Sequence, residues 1–423
     1  MIAESERPSS FFDLYFKYVE NTESPLLYHR WCALSLVSTL LGRGLAFPLG
    51  HYSIFPNQYI LLVGTPGTRK GCAKIPRKLL HEVGYTRFAP ERVAKETFLS
   101  SLADQELEEG ELEQVNSMFS LDSLISDDED RITENLINSE EFTNFIGSGN
   151  FEFLSILAEL YDCGAQYKLP LKRQKSILIK KPTINILSCS TPDALAEALP
   201  VASIGQGSLS RFVLVFAKPT GKKLTFPMPP PAWVEERLIL RCRDIRRLSQ
   251  SGRLDIAADA RGMLDYLYKQ HKGLADPRFS YYNQRRFTHL LKVCIACAAS
   301  ELRATIEAVD VILANTILVF TETAMGDALG EFGAAKNSAI TQRVIALVTE
   351  AKGVVSLDQI WVHVRTELDK FTDLLPLLQG LIKGEKLQQV PGGFLPLYKE
   401  TELLDLKYVD FSLLREAQEQ THL

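Results

Sequence analysis

The chain has 423 residues, 46% hydrophobic and 23% charged, with a formal net charge of −5. That length exceeds one ordinary core and predicts two or three domains, and the composition is that of a soluble globular protein. No apolar run approaches a membrane span and Met1-Ile2-Ala3-Glu4-Ser5-Glu6 lacks the apolar centre of a signal peptide, so the expectation is a cytoplasmic protein without a membrane partner.

Residues 11–42 show helical spacing through Phe11, Leu14, Tyr15 and Tyr18, then Trp31, Leu34, Val37 and Leu40, and predict a helical collar over residues 1–50. Next comes Tyr59-Ile60-Leu61-Leu62-Val63, a short apolar run that reads as a buried strand. It ends in Gly64-Thr65-Pro66-Gly67-Thr68-Arg69-Lys70. A strand feeding a glycine turn and a lysine is the pattern of a phosphate-binding loop, with backbone N–H groups and a helix N-terminus facing the anion. Lys70 then reaches the β/γ-phosphates of ATP. Arg69 stands where that pattern has its second glycine. Gly71, followed by Cys72, stands where it has a Mg²⁺-binding hydroxyl. The plain alternative is a Pro-Gly turn with a solvated Arg-Lys pair.

Residues 104–134 carry twelve acids against the single base Arg131, a net −11 that leaves the remainder at +6. A mildly basic body with one acidic insertion is compatible with DNA. Then Leu136-Ile137-Asn138-Ser139-Glu140-Glu141 reads as a strand over 135–139 ending in two carboxylates. Hydrolysis of a phosphoanhydride needs one acid near the metal and one to orient water, which suits Glu140 and Glu141 respectively. A helix N-terminal charge pair has the same sequence.

Lys168, Lys172, Arg173 and Lys175 sit in a basic centre flanked by apolar residues, the pattern of a hairpin with a charged tip. Further strands are expected over 184–189 and 212–216. The first ends in Thr191 before Pro192, a polar residue able to sit between γ-phosphate and water, and the second begins at Ser210-Arg211-Phe212. A Pro-rich linker, Phe226-Pro227-Met228-Pro229-Pro230-Pro231, precedes helical residues 233–330. Residues 336–398 read as three helices and a hairpin about Pro391-Gly392-Gly393, the winged-helix pattern, with a tail over 399–423. The seven cysteines are scattered, and Cys294-x-x-Cys297 lacks the second pair of a zinc site.

In their order these motifs resemble the AAA+ ATPases, most closely the minichromosome-maintenance helicases and related phage or plasmid replicative helicases. The resemblance covers roughly residues 25–330 and is carried by Lys70, Glu140 with Glu141, Thr191-Pro192, Ser210-Arg211-Phe212 and the segment Gln284-Arg285-Arg286-Phe287. It implies an α/β AAA+ core over 51–225, with the acidic insertion inside it, and a helical lid over 226–335. It also implies that Arg211 acts on the ATP of a neighbouring subunit and that Arg286, with Arg285 as the alternative, is the lid residue at the γ-phosphate. A finger in trans implies a ring, most often of six copies, around single-stranded DNA gripped by the 168–175 hairpin. Two other readings stay open: a helicase loader or protein remodeller, and a non-hydrolysing nucleotide-dependent scaffold suggested by Gly71 and Cys72.

Overall fold

A computed structural model describes residues 10–103, 132–170, 176–199, 207–274 and 276–330, much of 340–396, and 407–413. The acidic stretch 104–131 and the hairpin-tip residues Lys172, Arg173 and Lys175 lie outside the described residues. The chain divides into two units, Met1–Gly330 with Lys407–Leu423, and Glu331–Leu406.

The first unit is an α/β structure on a four-stranded parallel sheet. Across it run Thr133–Ile137, Pro182–Ser190, Tyr59–Val63 and Phe212–Phe216, in that order. The two inner strands are buried at every position, as a parallel sheet covered on both faces requires. Register is unambiguous: Val63 lies opposite Ser190 on one side and Phe216 on the other. Phe88 adds a single parallel bridge to Leu136 outside the Thr133–Ile137 edge. Of the four expected strands, 59–63 and 212–216 match in their bounds. The acidic strand begins and ends two residues early, and the Pro182–Ser190 strand extends beyond its expected span.

Of the N-terminal helices, Leu26–Leu41 has fifteen of its sixteen residues buried, so it lies in the interior of the first unit. It packs against helices Lys74–Glu82, Ala232–Leu248 and Ser280–Ser300 and against the Pro182–Ser190 strand. The expected collar, core and lid therefore share one interior. The expected C-terminal tail also departs from expectation: Asn315 Nδ2 donates to the Tyr408 carbonyl at 3.1 Å, and Asp410 N–H to Thr316 Oγ1 at 2.9 Å. The chain thus leaves the first unit at Gly330 and returns to it at Lys407.

The second unit holds helices Leu357–Val364 and Phe371–Lys383 and an antiparallel hairpin, Leu387–Val390 with Gly393–Pro396. Ser356 and Gln359 form a reciprocal cap at the start of the first of these helices. Val355 pairs with Phe394, and both are buried with Ile360, Leu374 and Leu387. The basic segment is likewise a hairpin, Gln166–Leu169 against Ile177–Lys180, with Lys168 exposed opposite Leu178. All seven cysteines are free and buried. No described helix is long and apolar enough to cross a membrane.

A buried polar network ties Ser280–Ser300 to the sheet. His289 Nε2 lies 2.9 Å from the Ser210 carbonyl and its Nδ1 3.3 Å from the Tyr161 hydroxyl. Lys292 donates to the Phe55 carbonyl at 2.9 Å and to Asn57 Oδ1 at 2.5 Å. Burial pushes His289 down to about 4, opposed by its bond to Ser210. The unfolded chain therefore binds a proton near pH 6.5 that the fold refuses until about pH 4, so stability is full above the upper value and declines toward the lower. At most about 3 kcal/mol hangs on this one group. Urea unfolding at pH 7.5 and pH 5 should show a smaller loss for His289→Gln than for the parent, with the residue of the loss due to His29 and His271, each also pushed down to about 4 by burial.

Candidate functional site

The 64–70 loop grows from the C-terminal end of the Tyr59–Val63 strand. Gly64 N–H donates to the Ser190 carbonyl at 3.3 Å, and the Tyr28 hydroxyl donates to the Val63 carbonyl at 2.7 Å. A Cβ on Gly64 would meet Tyr28 Oη at 2.5 Å and the Ala217 carbonyl at 3.1 Å, so close approach requires glycine there. Thr68 closes the turn, its N–H and hydroxyl both on the Thr65 carbonyl at 3.2 and 2.6 Å. Thr65, Pro66 and Gly67 form the exposed crest, with Gly67 at φ +89°.

Arg69 has φ +62° and ψ +43°. The backbone here keeps the left-handed turn that glycine adopts freely, at a cost of about 1–2 kcal/mol for a side chain with a Cβ. External bonds offset it: Arg69 Nε pairs with Glu23 at 2.5 Å, and Ser24 Oγ donates to the Arg69 carbonyl at 2.7 Å. The Leu224 N–H, with Arg69 behind it, holds the Glu23 carboxyl below its usual range. Lys70 folds back to donate to the Gly64 carbonyl at 2.5 Å, and partial burial lowers its pKa. The chain then runs through the turn Lys70–Ala73 into helix Lys74–Glu82. Cys72 donates its thiol to the Lys70 carbonyl at 3.7 Å, and Cys189 reaches the same oxygen at 3.4 Å. A Cβ on Gly71 would meet nothing within 4 Å.

The acidic pair lies at the same end of the sheet. Asn138 Nδ2 donates to Ala73 and Leu187 carbonyls at 3.0 and 2.8 Å, fixing the strand end to the loop. Glu140 is exposed and paired with Lys74. Glu141 Oε1 accepts from Ser190 Oγ at 2.5 Å and from Thr143 Oγ1 at 3.3 Å. Between loop, helix and acids opens a cavity of about 600 Å³, whose lining includes Lys70, Gly71, Lys74, Arg77, Asn138 and Glu140. The cations at its wall suit an anion with several charges. Of the acidic strand's end, Ser139 and Glu140 line it and offer oxygen donors, which suit a hard divalent cation such as Mg²⁺. Among the described residues no cluster of three His, Cys, Asp or Glu side chains forms a metal site by itself, so phosphate oxygens and water would complete the shell.

Three expected residues stand elsewhere. Thr191 is the N-cap of helix Pro192–Ala198, its hydroxyl accepting from Ala194 N–H at 3.1 Å; Ser190, one residue earlier, is the hydroxyl at the acid. Arg211 precedes the strand whose Phe212 lies opposite Tyr59, so it sits at the other end of the sheet. Five strand residues separate it from the loop's level, roughly 16 Å. Arg286 does not reach the loop at all. It is buried with Glu322, Nε to Oε1 at 2.8 Å, and its Nη2 donates to Asn315 at 3.0 Å. That ion pair fixes helix Ser280–Ser300 to Ala308–Thr323 and corrects the expectation for Arg286. Arg285 is half exposed and turns toward Asp162 with Arg211.

Sequence reading missed Ser190, Tyr28, Glu23 and Asp162. For Ser190 a signal existed: Thr before Pro is an N-cap followed by a first-turn proline, which uses Thr191 locally and leaves its neighbour for the site. In comparisons with known proteins, no family model matches the chain and no curated protein matches it.

The crowding at Gly64 is testable by denaturant unfolding. We expect Gly64→Ala to cost about 1–3 kcal/mol through overpacking and to cost less in a Tyr28→Phe background, where the nearest atom is gone. Gly71→Ser, facing open space, should stay within about 0.5 kcal/mol of the parent.

Proposed function

We propose that the chain is a ring-forming, ATP-hydrolysing motor of AAA+ type that moves along single-stranded DNA, a replicative helicase of mobile-element kind. One observation carries this reading. The strand order sets Lys70 and Glu141 on either side of Ser190 at one end of the sheet and Arg211 at the other. In this reading a cation so far from its own loop serves the loop of another copy, and a head-to-tail contact whose rotation closes makes a ring.

Within one copy, the Lys70 ammonium exchanges the Gly64 carbonyl for phosphate oxygens, for which its partial burial has already removed much of its water. The Glu141 carboxylate, fixed by Ser190 and Thr143, orients the attacking water and accepts its proton. Glu140, released from Lys74, would hold Mg²⁺ or its water, and the bound ion would neutralise charge on the phosphates. Arg211 of the next copy stabilises charge on the transferring phosphoryl group. The hairpin Gln166–Leu169/Ile177–Lys180, with Lys168 on it and Lys172, Arg173 and Lys175 between its strands in sequence, contacts the DNA backbone. The second unit's helices and hairpin support a winged helix. The scaffold reading keeps one observation in its favour, the absent hydroxyl at Gly71.

Lys70→Ala should lower ATP turnover by about 100-fold or more and weaken binding, whereas Glu141→Gln should retain binding and lose turnover by a similar factor. Arg211→Ala and Glu141→Gln chains, each inactive, should regain part of the activity when mixed; no recovery, with monomers throughout, would refute the ring. Gly71→Ser should raise Mg²⁺-dependent turnover. Turnover absent from both parent and Gly71→Ser, with ATP bound, would establish the scaffold.

The DNA arm has its own measurement. Each phosphate contact contributes roughly 0.7 to the log–log salt slope on single strands, so alanine at Lys172, Arg173 and Lys175 should flatten that slope by about two. Basal turnover and oligomer size should stay unchanged.

A further inference from the structure

Asp162 lies at the end of the sheet opposite the 64–70 loop, between two arginines. Its Oδ2 accepts from Arg211 Nη2 at 2.8 Å and its Oδ1 from Arg285 Nη1 at 3.4 Å. Each carboxylate oxygen takes one guanidinium. The carboxylate is the most exposed of the three at 52%, against 32% for Arg285 and 15% for Arg211. Arg211 also donates to the Gly207 carbonyl at 3.4 Å, and its Nε is buried with no partner among the described residues.

A series of hydrogen bonds surrounds this cluster. Asp162 follows Tyr161, whose hydroxyl meets His289, while the His289 Nε2 meets the carbonyl of Ser210, the residue before Arg211. Arg285 lies one helical turn before His289 on the same helix. The Tyr161 carbonyl in turn accepts from Asn57 Nδ2 at 3.0 Å, beside the base of the loop strand. Three separate chain segments are therefore locked so that two cations converge on one point near the surface.

We propose that Asp162 is a resident counter-anion: it holds Arg211 and Arg285 as a paired seat for the terminal phosphate of ATP bound to a second copy of this chain, and yields them when copies assemble. The inference rests on the ring reading above and adds to it a residue and a regulation. Two cations against one carboxylate leave the cluster with a net positive charge. A phosphate group carries more charge and three acceptor oxygens, and the planar forks of two guanidiniums match it better than one carboxylate does. An ion pair this exposed is weak, so the exchange is not prohibited. Asp162 is thus a positioning residue, keeping both arginines extended before assembly and competing with the incoming phosphate.

The test is assembly of the full chain, followed by light scattering against protein concentration, with Mg²⁺ and an ATP analogue whose β,γ-bridge is imido and cannot be hydrolysed. Asp162→Asn should assemble at a concentration about twofold to fivefold lower than the parent, the fold-change corresponding to one surface ion pair. Asp162→Glu should behave as the parent, and Arg211→Ala should remove the gain from Asp162→Asn. Asp162→Ser serves the same purpose if the asparagine variant does not fold. Unchanged or weaker assembly of both folded variants, while Arg211→Ala alone impairs assembly, overturns the role of Asp162 and leaves the ring reading intact. No effect of Arg211→Ala on assembly overturns both.

Discussion

Everything at the candidate site depends on the last residue of the central strand. Ser190 offers two groups in opposite directions: its carbonyl receives the Gly64 N–H, and its hydroxyl donates to Glu141. The loop and the acid belong to strands that do not pair with each other, so a strand runs between them, and its terminus bonds to both. The spacing of Lys70 from Glu141 is therefore a property of the sheet. It follows from the sheet's 4.7–4.9 Å interstrand repeat and from a register in which Val63 and Ser190 are opposite. Side-chain flexibility has little part in it.

The loop keeps a left-handed residue without a glycine, and this explains why the N-terminal segment is folded inward. Glu23, Ser24 and Tyr28 each bond to the loop or to the strand before it. Tyr28 belongs to the buried helix Leu26–Leu41, and Glu23 and Ser24 lie in the segment that leads directly into it. The loop's conformation is thus imposed partly from outside, where a glycine at position 69 would have allowed it from within. The same helix donates from Trp31 Nε1 to Thr321 Oγ1 at 2.8 Å, so the bracing passes on to the helical layer.

What the sequence disclosed was what local pattern determines. Apolar runs gave the strands, a glycine-rich turn gave the loop, apolar flanks about a basic centre gave one hairpin, and the Pro-Gly-Gly turn gave the other. What it hid was decided by tertiary partners. Arg286 and Arg285 are adjacent and chemically alike; only the position of Glu322 beneath the helix decides that the first is buried and the second is free to meet Asp162. Helical spacing over residues 11–42 disclosed two helices but not that Leu26–Leu41 is covered on nearly every face, since its neighbours come from distant parts of the chain. Thr191 was misread because a hydroxyl beside a proline has a nearer use as a helix cap than any distant ligand can offer it.

The return of the chain at Lys407 has a consequence for the second unit. Anchored covalently at both of its ends to the same body, it behaves as a domain inserted in a loop and not as a pendant at a terminus. A single cut in either connection would leave it covalently attached. Its linkage to the first unit is intramolecular at both ends, so dilution of the protein does not change it.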